Sequence, residues 1–260
     1  MRRAIALGAL AIAGTLAAQT MPGPSRLARG YLAEPAPVDS ILLSPAPPAA
    51  GSPAEARDVA AAQAALGLAG GPRWSLATKD ADLFAPDVTA AFSCAAGREI
   101  GATATPATNR LLRRTLADFG LSTSAIKRKF QRSRPFMANG RPSCTPAAEP
   151  MLKSDGSYPS GHSAIGYGWG LILAELVPDR ADALVARGRA FGDSRRVCNA
   201  HWLSDTEEGR IAGAAVLARL HADAAFRADL DAARSELLAV RAVPPTHDCA
   251  AESAALDLTR

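Results

Sequence analysis

Three short segments of this 260-residue chain concentrate the side chains able to grip and attack an anion. The first runs Lys127-Arg128-Lys129-Phe130-Gln131-Arg132-Ser133-Arg134-Pro135. Lys127 offers a point charge and Arg134 a planar fork, so the two suit the oxygens of one phosphate. The same run also reads as a solvated basic helix end, because cations are favoured near a helix C-terminus and Arg134-Pro135 would end a helix. The second, Tyr158-Pro159-Ser160-Gly161-His162, precedes an apolar stretch. A loop entering a helix presents free N–H groups where a phosphate settles; Gly161 admits close approach and Ser160 can donate its hydroxyl. An ordinary Ser/Gly cap with an exposed His162 fits those residues equally. The third runs from Ser194-Arg195 to His201-Trp202-Leu203-Ser204-Asp205. His201 and Asp205 lie four apart, on one face if the stretch is helical, and a carboxylate on one imidazole nitrogen fixes the tautomer and frees the other to attack. Arg195 would add a third cation, although a helix-surface His–Asp pair satisfies the spacing too.

The elements that must position these segments are helical. From Ser52-Pro53-Ala54-Glu55, a cap, a first-turn proline and a glutamate three residues on, the chain is rich in Ala and Leu with a helical period and almost no alternating β pattern. Helices are predicted over 53–67, 75–82, 86–99, 106–119, 121–131, 161–176, 179–193 and 203–240, the last broken in two, with Asp179 as a cap. Residues 132–160, with Pro135, Pro142, Pro146, Pro150 and Pro159, read as a long functional loop. The fold class is therefore all-α, a single-domain helical bundle over 54–242. An extended Pro/Ala-rich arm over 19–53 precedes it and an irregular tail over 243–260 follows. Tyr31, Leu32, Ile41, Leu42 and Leu43 should pack the arm on the body. His221 and His247 match no motif and read as surface residues, and Trp202 as packing.

Residues 1–18 have the pattern of a secretory signal: Arg2 and Arg3, then the apolar run Ala4–Ala13, then small residues. Without those two charges the net charge falls from +4 to +2, too little to argue for a nucleic-acid polymer or a membrane surface. No later stretch is apolar for long enough to span a membrane. The four cysteines Cys94, Cys144, Cys198 and Cys249 fit an oxidising compartment and two disulfides. Of the three connectivities, Cys94–Cys144 with Cys198–Cys249 is the expected one. No cysteine pair has the spacing of a zinc site.

The ordered trio Lys-x6-Arg-Pro, Pro-Ser-Gly-His and Ser-Arg-x5-His-x3-Asp resembles the signature of the type 2 phosphatidic acid phosphatase superfamily, which includes vanadium haloperoxidases. The nearer likeness is to bacterial class A non-specific acid phosphatases, and it runs from about residue 30 to about residue 225. The exported start, the arm before Gly51-Ser52-Pro53 and the context Tyr158-Pro159-Ser160-Gly161-His162-Ser163 add to it. The resemblance implies that Lys127, Arg134 and Arg195 hold the phosphoryl oxygens, helped by Ser160 and the Gly161 N–H. It implies that His201, oriented by Asp205, attacks phosphorus, and that His162 protonates the leaving alkoxide and then activates water. It further implies a periplasmic or secreted acid phosphatase that needs no metal or other cofactor. The substrates would be small phosphate monoesters such as nucleotides, sugar phosphates or aryl phosphates, with phosphotransfer to alcohols as a side activity. A homo-oligomer whose arm covers a neighbouring subunit is compatible with the sequence.

Two departures stand out. Asn199 sits where glycine is common in such relatives, and Thr206-Glu207-Glu208-Gly209-Arg210 is more acidic than the usual continuation. Other readings are a vanadate-dependent haloperoxidase, for which the chain is short, a lipid phosphate phosphatase, which would carry membrane spans, and an anion-binding protein, which would need no acid–nucleophile pair.

Overall fold

The computed structural model describes residues 28–32, 38–239 and 241–257; the leader expected over 1–18 lies outside them. Among the described residues there are helices and no strands. Helix α1 (Ser40–Leu43) is a single turn within the arm. It is followed by α2 (Pro53–Leu66), α3 (Pro72–Asp80), the short α4 (Ser93–Ala96), α5 (Pro106–Leu121) and α6 (Ser124–Phe130). Next come α7 (Pro135–Asn139), α8 (Glu149–Lys153), α9 (Gly161–Leu176), α10 (Ala181–Val197), α11 (Leu203–Leu220), α12 (Ala224–Ala239) and α13 (Cys249–Asp257).

The start signals act as their chemistry requires. Ser52 Oγ accepts from the Glu55 N–H at 3.2 Å, Glu55 reaches back to the Gly51 N–H, and Pro53 occupies the first turn of α2. Asp179 is not a cap: it lies in the 3-10 turn Pro178–Arg180 that joins α9 to α10.

Helices α9, α10 and α11 form the centre of the bundle, and glycine lets their backbones touch. A Cβ on Gly188 of α10 would lie 2.6 Å from the Gly166 carbonyl of α9, and one on Gly209 of α11 would lie 2.4 Å from the Ser160 carbonyl. Any side chain there would force the helices apart. The start of α9, the end of α10 and the start of α11 are thus held in fixed relation, and these carry Ser160-Gly161-His162, Arg195 and Asp205. Beneath them lies a core of Trp169, Phe92, Phe191, Phe119, Leu111, Leu112, Ile165 and Ile172. The Trp169 indole N–H is satisfied by the Leu112 carbonyl at 2.9 Å, so the ring is buried without an orphaned donor.

Six expectations are corrected, the first being the helix expected over 86–99, which is a 3-10 turn over Val88–Phe92 followed by the four-residue α4. The arm is not wholly extended: Asp39 caps α1 by accepting from the Ile41 and Leu42 N–H groups. Tyr31 is buried, and its backbone N–H and that of Leu32 donate to Asp118, but Ile41 and Leu42 face solvent. The loop over 132–160 contains α7 and α8, each started by a proline in its first turn. The tail is not irregular throughout, since Asp248 starts α13 by accepting from the Ala251 N–H at 3.0 Å. The disulfides are Cys94–Cys249 and Cys144–Cys198, with Cα separations of 5.4 and 4.7 Å. The pairing is nested: the chain folds back so that the first and last cysteines meet, and the two middle ones pair within that loop.

Candidate active site

The three motif segments meet at one end of the bundle. Lys127 sits in the last turn of α6, where Gln131 ends the helix with a left-handed φ of 43°. Arg134 caps α7, and both cations are buried. They are joined by the stretch before α9: the Asp155 carboxylate lies 3.2 Å from Lys127 Nζ and 3.2 Å from Arg134 Nη2. Lys127 also donates to the Gly156 carbonyl, and Arg134 donates from Nε to the Leu152 carbonyl at 2.8 Å. Burial, with the Arg134 charge adding to it, pulls the Lys127 ammonium down to about 8.

Ser160 caps α9, its Oγ accepting from the Ser163 N–H at 3.2 Å; its hydroxyl proton is left to donate elsewhere. Gly161 and His162 occupy the first turn of this sixteen-residue helix, whose unpaired N–H groups and dipole favour an anion. His162 Nε2 bonds the Ala81 carbonyl at 3.0 Å, so Nε2 carries a proton and Nδ1 is the nitrogen able to exchange one.

Between Arg195 and His201 the chain makes a tight turn. The Ala200 and His201 N–H groups both donate to the Arg195 carbonyl, at 3.0 and 3.2 Å. Asn199 closes the turn with φ 57°, a left-handed conformation that asparagine adopts more readily than most residues with a side chain. Its amide is also used, donating to the Arg141 carbonyl at 2.8 Å. The Cys144–Cys198 bridge pins this turn, and Arg195 Nη1 contacts Cys198 Sγ at 3.6 Å. Arg195 Nε is a buried donor with no acceptor among the described residues. Arg196 Nε, Ser44 Oγ and Ser163 Oγ share that state, and what sets Arg195 apart is its place at the turn that carries His201.

His201 is held at both nitrogens. Nδ1 lies 3.2 Å from Asp205 Oδ2, and Nε2 lies 3.0 Å from Arg134 Nη1. Arginine can only donate, so Nε2 is the unprotonated nitrogen and Nδ1–H donates to Asp205. Burial first, then the charges of Arg134, Lys127 and Arg195, hold His201 well below the ordinary histidine range. His162 is lowered in the same way by burial, then by Arg195. Burial pushes the Asp205 carboxyl up, against Arg132 and the Trp202 N–H.

The residues Lys127, Arg134, Ser160, Gly161, His162, Arg195, His201 and Asp205 are therefore assembled around one point. Chemically, that point can hold a tetrahedral dianion between three cations and a helix start, beside a neutral imidazole. His221 and His247 lie away from it: His221 bonds Glu175 at 3.3 Å and His247 is exposed. Trp202 is packing, its ring beneath the Arg132 guanidinium and its indole N–H on the Ser133 carbonyl at 2.7 Å. The acidic continuation is a surface feature, since Glu207 pairs with Arg57 while Gly209 supplies the small position. Among the described residues no three His, Cys, Asp or Glu side chains converge as a metal site, and no helix is long and apolar enough to cross a membrane.

Sequence reasoning missed Arg132 and Asp58. Arg132 donates to Asp205 Oδ1 at 2.7 Å and to Asp58 Oδ2 at 2.7 Å. Arg132 stood within the basic run, but nothing in the sequence singled out Asp58, on α2, as its partner.

A profile of the PAP2 superfamily matches residues 112–228, which include every motif position. The chain is 41% identical over 210 residues to an acid phosphatase of Zymomonas mobilis subsp. mobilis, covering 81% of this chain and 80% of that one. It is 39% identical over 201 residues to a non-specific acid phosphatase of Salmonella typhimurium, covering 77% and 80%. A non-specific acid phosphatase of Providencia stuartii is 38% identical over 207 residues, covering 79% and 84%.

Proposed function

Because the chain belongs to the PAP2 superfamily, we propose that it is an acid phosphatase that hydrolyses small phosphate monoesters through a phosphohistidine on His201. The observation that carries this reading is the state of His201: neutral, with Nδ1–H on Asp205 and the Nε2 lone pair turned to the cation cluster.

Lys127, Arg134 and Arg195, with the Ser160 hydroxyl and the Gly161 N–H, hold the phosphoryl oxygens and stabilise the charge they gather in the transition state. Arg134 then exchanges its bond to His201 Nε2 for one to phosphate, which frees the nucleophile. Nε2 attacks phosphorus as the ester P–O bond breaks, and Asp205 stabilises the imidazolium that results. His162, protonated, gives its Nδ1 proton to the leaving alkoxide. The neutral His162 then takes a proton from water as that water attacks the phosphohistidine, releasing inorganic phosphate and restoring both histidines. An alcohol in place of water gives phosphotransfer, the expected side activity.

No divalent ion is called for, since the three cations take that role. The nested disulfides and the leader pattern of residues 1–18 support export to the periplasm or beyond. The test is cleavage of p-nitrophenyl phosphate in the presence of a chelator, and acid-labile phosphate trapped on the enzyme during turnover. Full turnover by His201→Ala, or absence of trapped phosphate on His162→Ala given p-nitrophenyl phosphate, whose leaving group departs without a proton, would remove His201 from this role.

A further inference from the structure

Beyond the family's signature residues, a second arginine and a second buried aspartate stand behind Asp205. Arg132 uses Nη1 for Asp205 Oδ1 at 2.7 Å and for Ser204 Oγ at 2.8 Å, and Nη2 for Asp58 Oδ2 at 2.7 Å. Asp58 in turn accepts from the Ser204 N–H at 2.8 Å and from the Ser204 hydroxyl at 2.6 Å. Asp58 and Asp205 are fully buried, and Arg132 is covered on one side by Trp202. Both terminal nitrogens of this guanidinium are held by side chains that are themselves buried, Asp205, Asp58 and Ser204, whereas the carboxylate that meets Arg134, Asp155, is open to solvent.

We infer that Arg132, fixed by Asp58, is a positioning residue that keeps Asp205 ionised and thereby holds His201 as the Nδ1–H tautomer with Nε2 free. The inference rests on the reading of His201 as the nucleophile. Its physics is a competition at one carboxylate. Burial favours protonated Asp205, whereas Arg132 and the Trp202 N–H favour the anion. A protonated Asp205 would donate to Nδ1 instead of accepting from it, which drives the imidazole proton to Nε2 and blocks attack. Arg132 alone could swing toward the cradle or solvent; Asp58, locked to the first turn of α11 through Ser204, prevents that. Helix α2, which carries no signature residue, is thus tied to the chemistry through 74 residues of intervening chain to Arg132.

The test uses the full chain with Arg132→Gln, Arg132→Lys and Asp58→Asn, kinetics normalised to active-site concentration by the burst of p-nitrophenol released as the phosphohistidine forms. Arg132→Gln is expected to lower kcat on the order of 10²-fold, less than the ~10⁴-fold that a wrong tautomer costs outright. KM should change little, because the phosphate ligands remain. The acidic limb of kcat should move to higher pH, since Asp205 now takes its proton more readily. Arg132→Lys keeps the charge and should recover part of both effects, and Asp58→Asn should show a smaller version of them. Nitrogen shifts of His201 should move from the Nδ1–H pattern toward Nε2–H in Arg132→Gln. A merely structural Arg132 would lower the active fraction and leave the acidic limb and tautomer unchanged, which would overturn the inference. If Arg132→Gln does not fold, an unshifted acidic limb in Arg132→Lys and Asp58→Asn overturns it equally. His201→Ala separates the two claims: activity there defeats the nucleophile, whereas an inactive His201→Ala beside an unaffected Arg132→Gln defeats only the positioning role.

Discussion

On the proposed reading Asp155 should compete with phosphate for two cations of the cradle, and Asp155→Asn measures by how much. Its carboxylate lies 3.2 Å from both Lys127 Nζ and Arg134 Nη2, two of the three cations that would meet a phosphoryl group. In a water-like dielectric each such pair is worth about 1 kcal/mol, so an incoming anion competes with about 2 kcal/mol of attraction. The carboxylate is 53% exposed, so screening and solvent reduce this to about 1 kcal/mol. That corresponds to about a 5-fold change, with 1.4 kcal/mol being tenfold. Competitive inhibition by inorganic phosphate and the KM for p-nitrophenyl phosphate should therefore both tighten about 5-fold in Asp155→Asn, at mildly acidic pH and low salt, and the gain should shrink as salt rises. The same substitution has an opposite effect in alkali. Asp155 supports the Lys127 charge, so its removal lets the ammonium titrate below about 8, and the rise of KM with pH should begin earlier. Weaker phosphate inhibition in a correctly folded Asp155→Asn at acidic pH would refute the competition and make Asp155 a support of the cradle.

Three further outcomes follow from the geometry. Both histidines are held below the ordinary range, so His201 stays neutral into acid while His162 of the free enzyme gains its proton only there; a bound dianion offsets Arg195 and raises His162. The alkaline limb of kcat should thus lie at higher pH than that of kcat/KM, and coincident limbs would exclude Arg195 as the cause. Gly209→Ala places a Cβ 2.4 Å from the Ser160 carbonyl, and overpacking costs about 1–3 kcal/mol, so calorimetry should show a lower Tm together with a loss of kcat as Ser160 is displaced. Replacing Cys94 and Cys249 by serine should cost about 2–4 kcal/mol in denaturant melts and leave kcat intact, whereas the same change at Cys144 and Cys198 should also reduce kcat, because that bridge adjoins Arg195 and His201.

The parts of this site that could be read from the sequence are those whose geometry is local. Ser160-Gly161-His162 is a helix start that type and spacing reveal before any fold is known, whereas His201 meets Asp205 from the turn ahead of α11 and not from one helix face. The long helices also followed their period, with α5 and α9 bounded by Pro106 and by Ser160 as cap residues predict, while the one expected over 86–99 gave way to a 3-10 turn and the four-residue α4. What was not legible depended on long-range return of the chain. Asp58 reaches Arg132 only because α2 packs beside the start of α11, and a lone aspartate in an Ala-rich helix announces nothing of that. The disulfide pairing failed for the same reason, since sequence order carries no information about which elements face one another. The α13 start was legible in Asp248 ahead of an Ala-rich run, but the prolines at 244 and 245 masked it.

The nested disulfides bear on how the molecule is made. A chain that emerges from its N-terminus into an oxidising space exposes Cys94 and then Cys144 long before Cys249 arrives, with 155 residues separating the true partners. Simple oxidation in order of appearance would join Cys94 to Cys144 and strand Cys198 with Cys249. Reaching the native pairing requires thiolate attack on those early bonds, and so a shuffling catalyst or a reduced interval until α13 is complete. Yield in an oxidising host should accordingly be limited by isomerisation rather than by oxidising power, and the Cys94–Cys249 bridge, which waits for α13, would be the last to set.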